Sequence, residues 1–222
     1  MASEAADFTL PSYDQAVGGR PPLEFHVYKS GGACTWSKDD VVTGPDKRTI
    51  LYHLDFPHTW FGSWNMSLRR GGSAGPEVCT IKKGAMGSSF DISLYAVSPM
   101  PNMEILTDSL ARYGVQTRCQ RTGFFRLKYT FGGANNTEYY IWQPDGMWMR
   151  AYDYSLYRES ELKLPKEQRK VIAHWRTPSW AVTKDGTLLI HPDHEHEAEL
   201  ILSTALGIEE RAREERSRNS GS

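Results

Sequence analysis

The densest group of possible metal ligands in the 222-residue sequence lies at residues 191–197, HPDHEHE. Imidazole and carboxylate groups bind Zn²⁺, but a zinc site needs three or four of them that converge. The spacing of two between His194 and His196 is typical of an extended segment rather than of one helical face. Asp193 is suited to cap a helix that starts here. We therefore expect a polar helix start with no metal or cofactor. The alternative is a metal or ligand site that uses His191, His194 and His196.

Basic side chains occur in pairs along several segments that alternate like strands. Arg126 and Lys128 flank the apolar Leu127, so both lie on one face of a strand. Lipid phosphates are bound where Arg forks and Lys charges converge. These pairs predict a candidate headgroup surface, although ordinary solvated strand faces carry the same pattern. The candidates are Arg126, Lys128, Lys82 and Lys83.

Residues for metalloprotease or phosphoryl chemistry do not form a known motif. The sequence has no glycine-rich phosphate loop and no HExxH. Cys34, Cys79 or Cys119 could pair with a histidine as a thiol–imidazole couple, but no local sequence favours one pairing. We therefore expect a non-enzymatic protein. An enzyme or a ligand-binding barrel with a site near 191–196 is the alternative.

Residues 1–22 are small and polar and are interrupted by Pro and Gly, which predicts a disordered arm. This arm contains Leu10-Pro11-Ser12-Tyr13, a variant of the Pro-Pro-x-Tyr ligand that WW domains bind. Leu10, Pro11 and Tyr13 would make the contacts. A chance occurrence of this tetrapeptide in a polar tail is the alternative explanation.

The bulk composition excludes several classes of partner. The net charge is −1 and the pI is near 6.7, so we expect no nucleic acid as a partner. Mean hydropathy is −0.55, and no apolar run approaches the roughly 20 residues that a membrane helix needs. The N-terminus lacks the apolar segment of a secretory signal, and three scattered cysteines are typical of reduced thiols. These features predict a cytoplasmic monomer that contacts membranes only peripherally.

The elements that must position these residues are mostly strands. Between residues 23 and 191, short runs alternate apolar and polar residues, which is the pattern of half-buried strands. Clusters of Gly, Pro and Asn at 69–77, 132–136 and 144–146 predict the turns between them. Ten to twelve short strands at regular spacing indicate a single all-β unit.

The C-terminal segment has a different pattern. Between residues 195 and 210, apolar residues cover the whole circumference of a helical wheel, so the protein must surround this helix. The apolar part is too short to cross a bilayer at about 1.5 Å per residue. Beyond it, Glu209/Arg213 and Glu214/Arg218 are charged pairs one turn apart, and we expect this half to be solvated.

Together these patterns predict a mainly β fold: a closed antiparallel β-barrel of about 10–12 strands around a central hydrophobic C-terminal helix. The arm would comprise residues 1–22, the barrel 23–210 with its buried helix at 195–210, and a charged helical extension and disordered tail 211–222.

This order of elements resembles the tubby C-terminal-like superfamily, whose relatives include LURP-one-related proteins and phospholipid scramblases. The matching stretches are 50–56 with 64–68, 124–131 with 139–142, and 185–191 leading into 198–208. The resemblance implies a binding or adaptor protein. Its barrel would recognise a phosphoinositide headgroup or a protein partner, and its arm would recruit a WW-domain protein. The short helix and its charged tail differ from the membrane anchor of scramblases.

Overall fold

The computed structural model describes residues 20–29, 40–56, 63–85, 87–95, 113–122, 127–135, 137–145, 153–177 and 184–220. In these ranges, twelve strands pair in chain order, each antiparallel to the next. β1 also pairs with β12, so the sheet closes into a barrel. The expected closed antiparallel barrel of about 10–12 strands is therefore confirmed.

The strands are β1 (Leu23–Lys29), β2 (Asp40–Thr43), β3 (Ile50–Asp55), β4 (Trp64–Arg70), β5 (Glu77–Lys83), β6 (Phe90–Tyr95), β7 (Tyr113–Thr122), β8 (Lys128–Gly132), β9 (Tyr139–Pro144), β10 (Tyr154–Arg158), β11 (Ala173–Arg176) and β12 (Lys184–Ile190). Two short 3₁₀ helices, Glu159–Lys163 and Lys166–Gln168, connect β10 to β11.

The period-two pattern of the sequence separates the inside of the barrel from its outside. In β4, Met66 and Leu68 are fully buried, whereas the intervening Ser67 is partly exposed. The β4–β5 connection depends on glycine, because a Cβ on Gly75 would lie 1.8 Å from the carbonyl oxygen of Arg70. Alternation fixes the face of each residue, and the tight turn fixes which strands are neighbours.

The helix α1 (Ala198–Ser220) follows a 3₁₀ helix, Pro192–Glu197. The cap residue of this segment is His191, whose Nδ1 accepts a hydrogen bond from the backbone N–H of Asp193 at 3.3 Å. The prediction that Asp193 is the N-cap is wrong, because the helical segment begins at Pro192 and its cap, His191, lies two residues earlier. No helix among the described residues is both long and apolar enough to span a bilayer.

The first half of α1 occupies the centre of the barrel, as the sequence predicts. Leu200, Ile201 and Leu202 are each at most 1% exposed although they point in different directions around the helix. Burying each of these side chains contributes about 1.5–3 kcal/mol. Gly207 lies so close to the wall that an added Cβ would be 2.4 Å from the ring of Phe90.

The first turns of the charged half of α1 are also enclosed, which corrects the expectation that this half is solvated, whereas the side chain of Arg218 near its end is 61% exposed. Glu209 and Arg211 are each 4% exposed. Inward-facing charges of the strands meet this half of the helix, and Nη2 of Arg213 lies 2.9 Å from Oδ2 of Asp40. Lys83–Glu214 and Arg121–Glu215 are further ion pairs between strands and this half of the helix. A helical wheel reveals only the pairs within the helix, so it misses these partners.

Candidate functional site

The histidine-rich segment lies at the end of the barrel where α1 begins, and its imidazoles do not converge. His191 caps the helical segment, His194 is 7% exposed, and His196 is exposed. The rings of His194 and His196 stack with centroids 6.1 Å apart. The described residues contain no group of three or more His, Cys, Asp or Glu side chains arranged for a metal ion.

This segment does line a polar depression of about 270 Å³, which we call the rim depression. Its chemically distinctive residues are Glu138, Tyr140, Arg158, His194, His196 and Glu197. They come from the β8–β9 turn, from β9, from the end of β10 and from the 3₁₀ helix before α1. The histidine-rich sequence 191–197 indicates this part of the structure. No sequence pattern connects it with residues 138–158, which complete the depression.

Glu197 is the buried centre of the rim depression, with a side chain only 5% exposed. One of its oxygens accepts the backbone N–H of Ala134 at 3.0 Å, and the other accepts the hydroxyl of Tyr140 at 2.6 Å. Burial raises the pKa of this carboxyl, but His194, whose Nδ1 lies 3.7 Å away, and the hydrogen bonds from Tyr140 and Ala134 outweigh it and lower the pKa to about 2. Gly133 makes room, since a Cβ there would lie 2.8 Å from the Tyr140 ring and 3.1 Å from Glu197.

The hydroxyl of Tyr140 contacts two carboxylates at once. Besides Glu197, Oε2 of Glu138 lies 3.0 Å from the phenolic oxygen. Burial raises the pKa of Tyr140 well above its usual value, and the hydrogen bond to Glu197 raises it further. The hydroxyl therefore stays protonated. A phenol has one hydrogen to donate, and therefore only one of the two carboxylates receives it.

A second candidate surface lies where β7 separates from β8. β7 has ten residues and pairs with β6 from Tyr113 to Cys119. It pairs with β8 only from Gln120 to Thr122. At the end of β8, the backbone N–H of Gly132 donates instead to Oγ1 of Thr117, at 3.0 Å. Among the described residues, segment 114–119 thus has a side without a strand partner, which we call the β7 edge.

An open depression of about 430 Å³ runs along the β7 edge on the outside of the barrel. Gln116, Arg118 and Gln120 of β7 line it, together with Tyr139 of β9. Tyr139 is 57% exposed, the highest value for a large apolar or aromatic side chain among the described residues. Arg118 makes an ion pair with Asp91 at 3.3 Å, and both side chains are more than half exposed. The surface offers backbone hydrogen bonds, amides, one cation and one aromatic ring.

The predicted headgroup residues do not come together in one basic pocket. Lys82 is exposed and stands beside Asp91 of the next strand. Lys83 points inward, and its side chain is 1% exposed and pairs with Glu214 of the helix at 3.4 Å. Lys128 is partly exposed and is paired in register with Thr122. Arg126 lies outside the described residues.

The thiols have the environment of structural cysteines. Burial raises the pKa of Cys79 to about 12, and its sulfur accepts a hydrogen bond from the hydroxyl of Ser203 at 3.2 Å. Burial also raises the pKa of Cys119 well above its usual value. Thiolates are the nucleophilic form, so these two side chains are poor nucleophiles. Cys34 lies outside the described residues.

A serine, a histidine and an aspartate meet between β9, β10 and β11, which the sequence did not indicate. The hydroxyl of Ser155 lies 2.9 Å from Nδ1 of His174 and also donates to Asp145. Nδ1 of His174 faces both Ser155 and Asp145, and Ser155 is 1% exposed. A catalytic triad needs the two imidazole nitrogens on different partners and an accessible hydroxyl, so this trio is a buried structural network.

Leu10, Pro11 and Tyr13 of the WW-ligand prediction lie outside the described residues. Comparison with protein families, curated proteins and solved structures found no match to this chain. The class of protein is therefore given by its architecture, a closed twelve-strand antiparallel barrel with a helix through its centre.

Proposed function

We propose that this protein is a non-enzymatic binding or adaptor protein, a divergent tubby-like barrel that recognises an extended segment of a protein partner. The observation that carries the proposal is the β7 edge beside an open, polar depression. An unpaired strand edge presents backbone N–H and C=O groups that an added strand satisfies.

The filled interior supports recognition on the outside. The apolar half of α1 packs against the wall with residues that are almost completely buried, and its charged half is held by ion pairs to the strands. Barrels that bind ligands inside leave the space that is occupied here by the helix. This arrangement favours recognition by the outer face and the rim of the barrel.

The chemistry along the β7 edge defines the partner. Six residues of strand extend for about 20 Å, enough to pair with a short extended peptide. Tyr139 offers an aromatic anchor, and Gln116 and Gln120 offer amide hydrogen bonds. The exposed Arg118–Asp91 pair is worth little, since exposed ion pairs contribute about 0–1 kcal/mol, so an acidic side chain of the partner can compete for Arg118. We therefore expect an extended segment with an acidic residue.

The experiment selects peptides from a random phage-displayed library on the immobilised full-length protein. Selected peptides should contain an acidic residue and should protect the amides of 114–118 from hydrogen exchange. Tyr139→Ala and Arg118→Glu should each weaken their binding about tenfold or more, a loss of roughly 1.4 kcal/mol. Lys166→Glu, on an exposed 3₁₀ helix that does not line this depression, is the matched control. Peptides that bind all variants equally, or that protect other strands, would contradict the proposal.

Recognition of an anionic lipid headgroup is the alternative within the same class of function. Each Lys or Arg near an anionic surface contributes roughly 1 kcal/mol, so several must act together. Lys82 and Lys128 are the two described candidates whose side chains reach the surface. Sedimentation with phosphoinositide-containing vesicles at low salt tests this alternative, and Lys82→Glu with Lys128→Glu should abolish any binding seen. The WW-ligand prediction for the arm adds recruitment of a second protein and is independent of both surfaces.

A further inference from the structure

The β7 edge has different chemistry on its two faces. Val115 and Leu94 are cross-strand neighbours on the inward face, which they share with the buried Cys119, yet both are only partly buried. On the outward face, Arg118 is held by an exposed ion pair with Asp91. A strand that fits this edge therefore needs apolar residues on one face and an acidic residue on the other, in alternation.

The N-terminal arm contains a segment with this pattern. Residues 6–10, Ala-Asp-Phe-Thr-Leu, lie outside the described residues. In an extended chain, Asp7 and Thr9 would share one face, and Phe8 and Leu10 would share the other. Residues 1–19 include three acidic residues and no Lys or Arg, so their charge is opposite to that of the edge. The next residue, a proline, has no N–H and would end strand pairing directly after Leu10.

The strand order brings the arm to the end of the barrel where β7 starts. Each strand from β1 to β7 is antiparallel to the next, so β1 and β7 run in the same direction and start at the same end. The arm leads into β1 at this end. Residues 6–10 would therefore reach the β7 edge from its start and run antiparallel to β7, with Leu10 nearest that end.

The chain between Leu10 and Arg20 is long enough to cross the end of the barrel. β1 and β7 are six strands apart in a ring of twelve, so they lie on opposite walls. Strands about 4.8 Å apart and tilted by roughly 40° give such a barrel a diameter of about 24 Å. The residues from Leu10 to Arg20 can span at most about 36 Å when extended. The β7 edge is therefore within reach of residues 6–10.

We propose that residues 6–10 bind the β7 edge as an additional antiparallel strand and occupy it until a partner displaces them. In the register that sets Asp7 opposite Arg118, the outward faces pair an acid with a base. The same register sets Leu10 opposite Val115, so the apolar face of the arm covers the partly buried inward face of the edge. This inference rests on the function proposed above, because it uses the same edge, and it adds that the protein's own arm regulates access to it.

The readout is amide hydrogen exchange of residues 114–118 in the full-length protein, followed by NMR. Phe8→Asp/Leu10→Asp removes the apolar face of the arm segment and should speed this exchange about tenfold or more, because the edge amides lose their partner. Asp7→Lys should also speed it. Asp14→Lys makes the same charge change in the arm outside the pairing segment, and it should leave the exchange unchanged.

A charge swap separates docking of the arm from damage to the fold. Arg118→Asp should speed the exchange of residues 114–118, as Asp7→Lys does. The double variant Asp7→Lys/Arg118→Asp should restore slow exchange, because it pairs the opposite charges in the reverse order. A damaged fold cannot produce this recovery.

An acetylated and amidated peptide of residues 4–12, added at about 1 mM to the Phe8→Asp/Leu10→Asp protein, should restore protection, since this matches the effective concentration of a tethered segment. Equal exchange in the unmodified protein and in this variant would overturn docking of the arm. Equal acceleration by Asp14→Lys and Asp7→Lys would overturn it too. The function proposed above would still stand if peptides selected from the library protect residues 114–118, and both proposals fail if no peptide protects them in either protein.

Discussion

Arg213 of the C-terminal helix and Asp40 of β2 form an ion pair inside the barrel, with Nη2 and Oδ2 2.9 Å apart. The side chain of Asp40 is 3% exposed and that of Arg213 is 21% exposed. They are 173 residues apart in the sequence. This pair shows that the helix is held along its charged half as well as its apolar half, so α1 passes through the barrel.

The first prediction concerns the strength of this pair. Arg213→Met should lower the free energy of unfolding by about 2–4 kcal/mol, because it takes a charged partner from a carboxylate that remains buried. The double variant Asp40→Asn/Arg213→Met should cost less than the sum of the single variants. Chemical denaturation of the four proteins of this double-mutant cycle measures the coupling.

Arg218→Met is the control. Arg218 forms an ion pair too, with Glu214 of the same helix, but its side chain is 61% exposed. Its effect should stay within about 0.5 kcal/mol. If Arg213→Met and Arg218→Met cost the same small amount, the helix around Arg213 is not enclosed in solution.

The second prediction reverses a general rule about helices. Replacing a helix glycine with alanine stabilises most helices by about 1 kcal/mol. At Gly207 the new Cβ would lie 2.4 Å from Cε2 and 2.6 Å from Cζ of Phe90. Gly207→Ala should therefore lower stability, by about 1–3 kcal/mol, through overpacking. Thermal and urea denaturation both report this change.

A smaller side chain at residue 90 should remove the clash. In a Phe90→Leu background, which itself destabilises, Gly207→Ala should cost much less or become stabilising. A stabilising effect of Gly207→Ala in the otherwise unchanged protein would mean that the helix does not approach β6 this closely.

The third prediction is a pH dependence of stability that comes from Glu197. Its folded-state pKa of about 2 lies below the ordinary value of 4.5. The unfolded chain thus takes up a proton at higher pH than the folded protein does, and protonation favours unfolding. The stabilisation, on the order of 2–3 kcal/mol, is present above about pH 4.5 and is lost as the pH falls towards 2.

Glu197→Gln should make the unfolding free energy less steep between about pH 4.5 and 2, and should lower it at neutral pH. Glu167→Gln, at an exposed position, should leave the pH profile unchanged. Parallel profiles for Glu197→Gln and the unmodified protein would refute the assignment of this stability to His194 and to the Tyr140 and Ala134 hydrogen bonds.

The fourth prediction concerns the N-terminal arm. A peptide of residues 5–18 should bind WW domains weakly, with a dissociation constant of about 10–100 µM (roughly −7 to −5 kcal/mol). Tyr13→Ala should abolish binding, because WW domains hold the tyrosine of such ligands in an aromatic groove. Fluorescence anisotropy against a panel of WW domains measures both peptides. Equal affinity for the two would exclude the motif.

The sequence by itself determined the features that depend on local periodicity. Alternation with period two places Met66 and Leu68 inside and Ser67 outside, because successive strand residues point to opposite faces. The apolar residues around the wheel from Leu200 to Leu206 determined that the helix is buried. The closed barrel follows, since a short helix that is apolar on every side must be surrounded by the sheet.

Only the tertiary structure decided how distant polar groups meet. Nothing near Glu197 in the sequence indicates that the hydroxyl of Tyr140, 57 residues away, donates a hydrogen bond to its carboxylate. The charged half of the helix gave the wrong expectation for the same reason, because its partner Asp40 lies on β2. Burial of a charge depends on whether an opposite charge is brought within reach, and strand order and register decide that, whereas the hydropathy of the segment does not.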